Sequence, residues 1–217
     1  MRCLMCGERI GTDTFSDLFQ PEDVLCVSCR GQWKRISRRF RFCGKEAYAL
    51  YEYNEAFSAC LIQFKELGDE ALKDAFLYPD RSRLKRMYRG RTLLLLPSAA
   101  DKTEERGFSH LKELFEGTGL PVLEPFVKLE EGDQKARRRR ERKTMEHGIA
   151  LKPGIRLPRR VVLADDVITS GSTMKGALSV LPASLDVRIF ACALTPKPHK
   201  TAFLNGIINK DIIVKLI

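Results

Sequence analysis

No apolar run in this sequence approaches the roughly 20 residues needed to cross a bilayer, so membrane insertion is not expected. The opening residues, MRCLMCGERI, hold neither an apolar core nor a small-residue cleavage site. No secretory signal is read there, and a cytoplasmic protein is expected. Acid is absent from whole stretches. Arg30 to Lys45 holds seven Lys or Arg, and Arg81 to Arg91 holds six, with no Asp or Glu in either. Lys135 to Lys143, KARRRRERK, holds seven against one Glu. The net charge of +10 is therefore unevenly spread, and the rest of the chain is net acidic. Such clustering favours a polyanionic partner or a phosphorylated ligand over a merely solvated surface. The seven cysteines lack the arrangement of a disulfide framework, and a reducing compartment with a metal site explains them better. What is present is 44% hydrophobic residues over 217, enough for one sizeable core plus a small appendage.

Cys3-Leu-Met-Cys6 and Cys26-Val-Ser-Cys29 are two CxxC pairs with 19 residues between them. The close spacing lets both thiolates of a pair reach one ion from a tight turn, and two such turns complete a tetrahedral Cys₄ site. Gly7, after Cys6, suits the turn under a metal. A segment of about 45 residues buries little surface, so a bound zinc would supply folding energy it lacks. Four thiolates leave no open position, which argues a structural rather than a catalytic ion. Trp33, Phe40 and Phe42 are expected to cover this knuckle, with nucleic-acid stacking as the alternative. Cys43 remains unassigned.

Beyond about Tyr51 the pattern changes. NEAFSACLIQFKELGDEALKDAFL puts Phe57, Leu61 and Phe64 on one helix face, with Asn54 as N-cap and a break at Gly68. RSRLKRMYRGR reads as loop or helix. TLLLLPSAA is a strand stopped by Pro97. Residues 102–116 read as a helix ended by Gly117. PVLEPFVKL contains a second strand weakened by Pro125. RVVLADDV, LDVRIFACALT and DIIVKLI are further strands, and GSTMKGALSVL is a helix. Alternating strands and helices predict an α/β fold with a parallel sheet covered on both faces.

In VVLADDVITSGST, residues 161–173, a greasy strand runs into two carboxylates and then a small polar loop. Ligands of open parallel sheets sit beyond the carboxyl ends of the strands. If VVLA is the strand, Asp165 and Asp166 lie there. Adjacent carboxylates near a core need donors, which sugar hydroxyls or a Mg²⁺ shell would provide. Thr169, Ser170, Gly171, Ser172 and Thr173 lie where a loop enters a helix, and backbone N–H groups plus hydroxyls there cradle a phosphomonoester. Together these describe a grip for ribose 5-phosphate.

This stretch resembles the PRPP motif of type I phosphoribosyltransferases. The four-cysteine unit, YEYNEAFSACLIQFKELGDEAL, LPSAADKTEERGFSH and QKARRRRERKTM resemble the ComF family, to about residue 195. The resemblance implies a Cys₄ zinc finger over 1–45 and a phosphoribosyltransferase-like parallel sheet with flanking helices over 46–217. It implies zinc on Cys3, Cys6, Cys26 and Cys29, and PRPP with Mg²⁺ on Asp165, Asp166 and the Thr169–Thr173 loop. Pro97, Ser98 and Arg106 would serve pyrophosphate, although Arg106 reads equally well as a helix-face residue. It also implies a part in single-stranded DNA uptake during natural transformation, with competence proteins as partners. Arg137, Arg138, Arg139, Arg140 and Arg142 exceed what a pyrophosphate needs, and suit DNA phosphates. A nucleobase-salvage phosphoribosyltransferase, and a zinc-ribbon nucleic-acid binder with a vestigial pocket, stay open as alternatives, as does turnover. The family's Arg-Gly-Phe-Asn-Gln motif stands here as Arg106-Gly107-Phe108-Ser109-His110. His110 reads as a partly buried helix residue, with a general base as the alternative. Lys65 matches a family position without a derived mechanism. His147 and His199 suggest no role.

Overall fold

The computed structural model describes residues 1–10, 23–97, 109–128 and 148–196. Its centre is a pair of parallel strands, β7 (Arg160–Ile168) and β8 (Asp186–Leu194). Val161 to Ala164 and Ile189 to Ala193 are essentially solvent-free. Strands covered on both faces need such unbroken apolar runs, and VVLA and IFACA supply them. On one side β8 pairs in parallel with β2 (Lys45–Glu52), which forms an antiparallel hairpin with β1 (Arg35–Phe42). On the other side β7 pairs in parallel with β3 (Thr92–Leu95), and β3 with β4 (Val122–Leu123). The sheet order is β1-β2-β8-β7-β3-β4, parallel except at the β1 edge. The hairpin straddles the division expected at residue 45.

The single strand expected within PVLEPFVKL is two. Pro125 has no N–H to continue a ladder, so β4 stays with the main sheet. β5 (Phe126–Lys128) instead pairs antiparallel with β6 (Ile149–Leu151) in a separate ribbon. The strand expected in DIIVKLI lies outside the described residues.

The helices follow their sequence signals. α1 (Val27–Gly31) is a short helix that starts at Cys26, its N-cap, and carries Cys29. α2 (Glu55–Glu66) starts where the Phe57 N–H donates to Asn54 Oδ1 at 3.0 Å. It buries Phe57, Cys60, Leu61 and Phe64, the i, i+3, i+4, i+7 stripe of an amphipathic helix. Gly68, at φ +71°, then turns the chain. α3 (Lys73–Leu77) and α4 (Arg81–Met87) follow. α5 (His110–Glu116) and α6 (Ser172–Val180) complete the helical layers. Trp33 does not act as a metal cover alone. It packs at 4.7–5.4 Å ring separation on Tyr51, Phe57 and Phe76, tying the N-terminal segment to the main core. Each such buried aromatic side chain contributes about 2–3 kcal/mol of burial. No helix among the described residues is long and apolar enough to cross a membrane.

Candidate ligand crevice and metal centre

The β3–β7 ladder stops at Leu95 opposite Ala164, whereas β7 stays paired with β8 as far as Ile168 opposite Leu194. Among the described residues nothing pairs with the β3 side of β7 from Asp165 onward, which leaves a step at the carboxyl ends of the strands. The acidic pair therefore sits inside the last residues of β7 rather than after it, as was expected from VVLA alone. The reason is the pairing with β8, which Val167 and Ile168 prolong. Alternation along a strand then sends neighbouring side chains to opposite faces. Asp165 and Asp166 are adjacent in sequence but differently employed.

Asp166 is 5% exposed. His110 Nε2, at the start of α5, lies 3.0 Å from its Oδ2, and Lys65 of α2 forms an ion pair with the same oxygen. Burial pushes the Asp166 carboxyl up, but His110 and Lys65 outweigh it and hold its pKa at about 2. Asp165 is half-buried, and its Oδ1 accepts the Asp166 backbone N–H at 3.0 Å. It has no side-chain hydrogen-bond partner among the described residues. Burial, then the Asp166 charge, raises its pKa well above the usual carboxylate range, against Lys65 and Lys128. One carboxylate is thus held in an inward cluster, while the other has no side-chain partner among the described residues. Lys65 and His110 converge on one Asp166 carboxylate oxygen from two helices distant in sequence. The sequence signal for Lys65 was a lone cation beside the apolar stripe of α2, and for His110 a polar residue opening an apolar helix.

The loop after β7 presents Thr169, Ser170 and Ser172 to solvent, with Thr173 half-buried. Gly171 is at φ +74°, where a side chain is strained. A Cβ there would also lie 2.5 Å from the Phe42 ring, so Phe42 of β1 leans over this loop and not over the cysteines. Ser172 N–H donates to Ser170 Oγ at 3.3 Å. Gly171 has no side chain with which to cap α6, so within the first turn only the Ser172 N–H is met by a side chain, that of Ser170, among the described residues. Pro97 ends β3 across the step and is half-buried. Ser98, Arg106, Arg137, Arg138, Arg139, Arg140 and Arg142 lie outside the described residues.

The Sγ atoms of Cys3, Cys6, Cys26 and Cys29 all lie within 4.8 Å of one another. A tetrahedron with metal–sulfur bonds of ~2.3 Å puts neighbouring sulfurs ~3.8 Å apart, and Cys6 and Cys26 are 3.7 Å apart. The set can hold a metal ion. Each pair is shaped by local structure. Gly7, at φ +73°, donates its N–H to Cys3 O at 2.9 Å. Cys26 caps α1, its sulfur accepting the Cys29 N–H at 3.5 Å. Burial works against ionising Cys3, but backbone N–H groups of Cys26, Cys6 and Met5 outweigh it and lower its pKa to about 7. Burial and the neighbouring sulfurs push Cys29 up. A bound cation would reverse that cost, because coordination deprotonates thiols. Arg30 anchors the centre to the main core. It reaches Asp23 through two bonds of 2.6 Å and donates to Ala75 O at 2.7 Å.

No family model matches the chain. Two curated proteins do. Competence protein ComFC of Streptococcus pneumoniae (strain ATCC BAA-255 / R6) is 27% identical over 88% of this chain and 99% of its own length. Competence protein ComFC of Bacillus subtilis (strain 168) is 25% identical over 82% of this chain and 88% of its own length.

Proposed function

We propose, from the ComF-family membership that these two relatives support, that the chain is a competence protein. In this reading it binds a phosphoribosyl ligand, PRPP, with Mg²⁺, and takes part in single-stranded DNA uptake in the cytoplasm alongside other competence proteins. One observation carries the ligand reading: Asp165, a carboxylate with no side-chain partner among the described residues, lies at a step in the sheet beside the Thr169–Thr173 loop that leads into α6. Asp165 accepts ribose hydroxyls, and burial of the pair favours any ligand donor that satisfies it. Backbone N–H groups at Gly171 to Thr173 and the hydroxyls of Thr169, Ser170 and Ser172 take the 5-phosphate. Pro97 follows β3 across the step, and Ser98 and Arg106 are assigned to pyrophosphate by the family resemblance. Asp166, held by Lys65 and His110, fixes the strand end that presents Asp165. The oxygen-rich set fits Mg²⁺, which is held by one or two carboxylates plus substrate phosphates and supplies neutralisation of pyrophosphate charge. The cysteine cluster takes zinc, since four thiolates with no open position suit a structural site. Arg137 to Arg140 and Arg142 contact DNA phosphates.

Isothermal titration with PRPP and Mg²⁺ tests the ligand reading. The parent protein should give saturable heat, and Asp165→Asn should weaken binding at least about tenfold, the loss of a charge-assisted hydrogen bond. Equal affinity in the two proteins would overturn it.

A further inference from the structure

We propose that a cleft at the opposite, amino end of the sheet is a second ligand site, built for a nucleotide unit, a phosphate carrying an aromatic base. The cleft holds about 270 Å³ between the end of α4 and the β1–β2–β8 face. That is just under the roughly 300 Å³ at which small-molecule sites begin, room for one such unit. Glu46 and Arg188, near the starts of β2 and β8, line it, so it is separate from the step at the carboxyl ends.

The strand register explains why cations converge there. Arg39 on β1 stands directly opposite Tyr48 on β2, so the two share a face. Tyr48 is in turn the partner of Phe190 on β8, and Arg188, two residues earlier, lies on that same face. Arg83 of α4 covers the Tyr48 ring at 5.4 Å. Two basic blocks that are separate in sequence therefore meet around one aromatic wall, in which Tyr48 and Tyr88 both pack on Phe190 at 6.0–6.1 Å. The nearby acids do not balance them. Glu46 is taken by Arg188 at 3.2 Å, and Asp80 by Arg35 at 2.5 Å and Arg83 at 3.8 Å. Arg39 is exposed and has no carboxylate partner among the described residues.

A second observation is independent of charge. Tyr48 is 3% exposed, and its hydroxyl has no hydrogen-bond partner among the described residues. Buried polar groups are normally paired, and an unpaired one lining a cleft points to a ligand that completes it. Arg39 and Arg188 take the phosphate, Tyr48 adds a hydrogen bond, and half-buried Met87 offers apolar surface on which a base packs.

The test is calorimetry on the full chain with three probes: inorganic phosphate, thymidine 5′-monophosphate and a short oligo-dT strand. Arg39→Ala with Arg188→Ala should weaken the nucleotide probes roughly 10- to 100-fold, the loss of one or two charge-assisted hydrogen bonds. Tyr48→Phe should weaken them roughly two- to tenfold while the melting temperature holds or rises, because an unpaired hydroxyl is removed. That split keeps the test sharp even if the arginine variant folds poorly. Loss confined to the mononucleotide assigns a free nucleotide; loss that includes oligo-dT assigns one unit of a strand. Neither nucleotide probe binding, affinities unchanged in both variants, or phosphate binding as tightly as the nucleotides would overturn the proposal.

Discussion

Asp166→Asn should cost this fold far more than Asp165→Asn, although the two residues are neighbours. Sequence alone argues that neutralising both crowded carboxylates relieves repulsion and lets the melting temperature hold or rise. The structure keeps that expectation for Asp165 and reverses it for Asp166. Removing one partner of a buried ion pair costs about 3–5 kcal/mol, because the other charge is left behind. The Lys65 side chain retains 20% exposure and the asparagine can still meet His110, which places the loss near the lower end, about 3 kcal/mol. For a chain of this size that lowers the melting temperature by roughly 6–12 °C. Asp165→Asn removes a half-buried charge repelled by its neighbour, so its melting temperature should hold or rise. The pH dependence has opposite signs at the two positions. Asp166 is depressed from the usual 3.8 to about 2, so its stabilisation is complete above 3.8 and is lost as pH falls toward 2. Asp165 is raised, so its cost appears as pH rises through its folded-state pKa and vanishes in acid. Thermal unfolding followed by circular dichroism at neutral pH and near pH 3 reads both effects. An Asp166→Asn protein that melts at or above the parent at neutral pH would refute the division between the two carboxylates.

The freshly purified, reduced protein should carry about one zinc per chain. Cys26→Ser should lose it and expose residues 1–10 to proteolysis while β7 and β8 stay protected from hydrogen exchange; metal analysis that finds no zinc would contradict the centre. Single-stranded DNA binding should weaken steeply with salt, at a slope near −0.7 per phosphate contacted. Changing Arg138, Arg139 and Arg140 to Ala should flatten that slope by roughly two units, while PRPP affinity falls much less. An unchanged slope would move the DNA contact elsewhere.

Where sequence and structure agree, the signal was local. The CxxC spacings bring four sulfurs together because each pair is closed by its own turn, at Gly7 and at the start of α1. VVLA and IFACA are central strands because no other element tolerates such runs. Asn54 and Gly68 bound α2 by capping and by positive φ. The misses are non-local. RISRRFRF was counted only within a basic block and given no strand, because its arginines masked the alternation that makes it an edge strand, exposed where charge is welcome. Phe42 was assigned to the cysteines and is found against Gly171, a contact between residues far apart in sequence. Lys65 and His110 come to Asp166 from two different helices, and no spacing along the chain encodes that meeting. Pro125 was seen to weaken a strand, but only the ladder shows that it hands the chain from one sheet to another.

The central claim is that the step beyond Leu95, with Asp165 and the Thr169–Thr173 loop, grips a phosphoribosyl ligand. Amide resonances of an isotope-labelled protein, followed as PRPP and Mg²⁺ are added, test it at the atoms involved. Gly171, Ser172 and Thr173 should shift saturably and together as their N–H groups donate to a phosphate, Ser172 exchanging its bond to Ser170 Oγ for one to the ligand, with Asp165 and Asp166 following. Saturable shifts confined to other parts of the chain, or none at all at millimolar ligand, would contradict it.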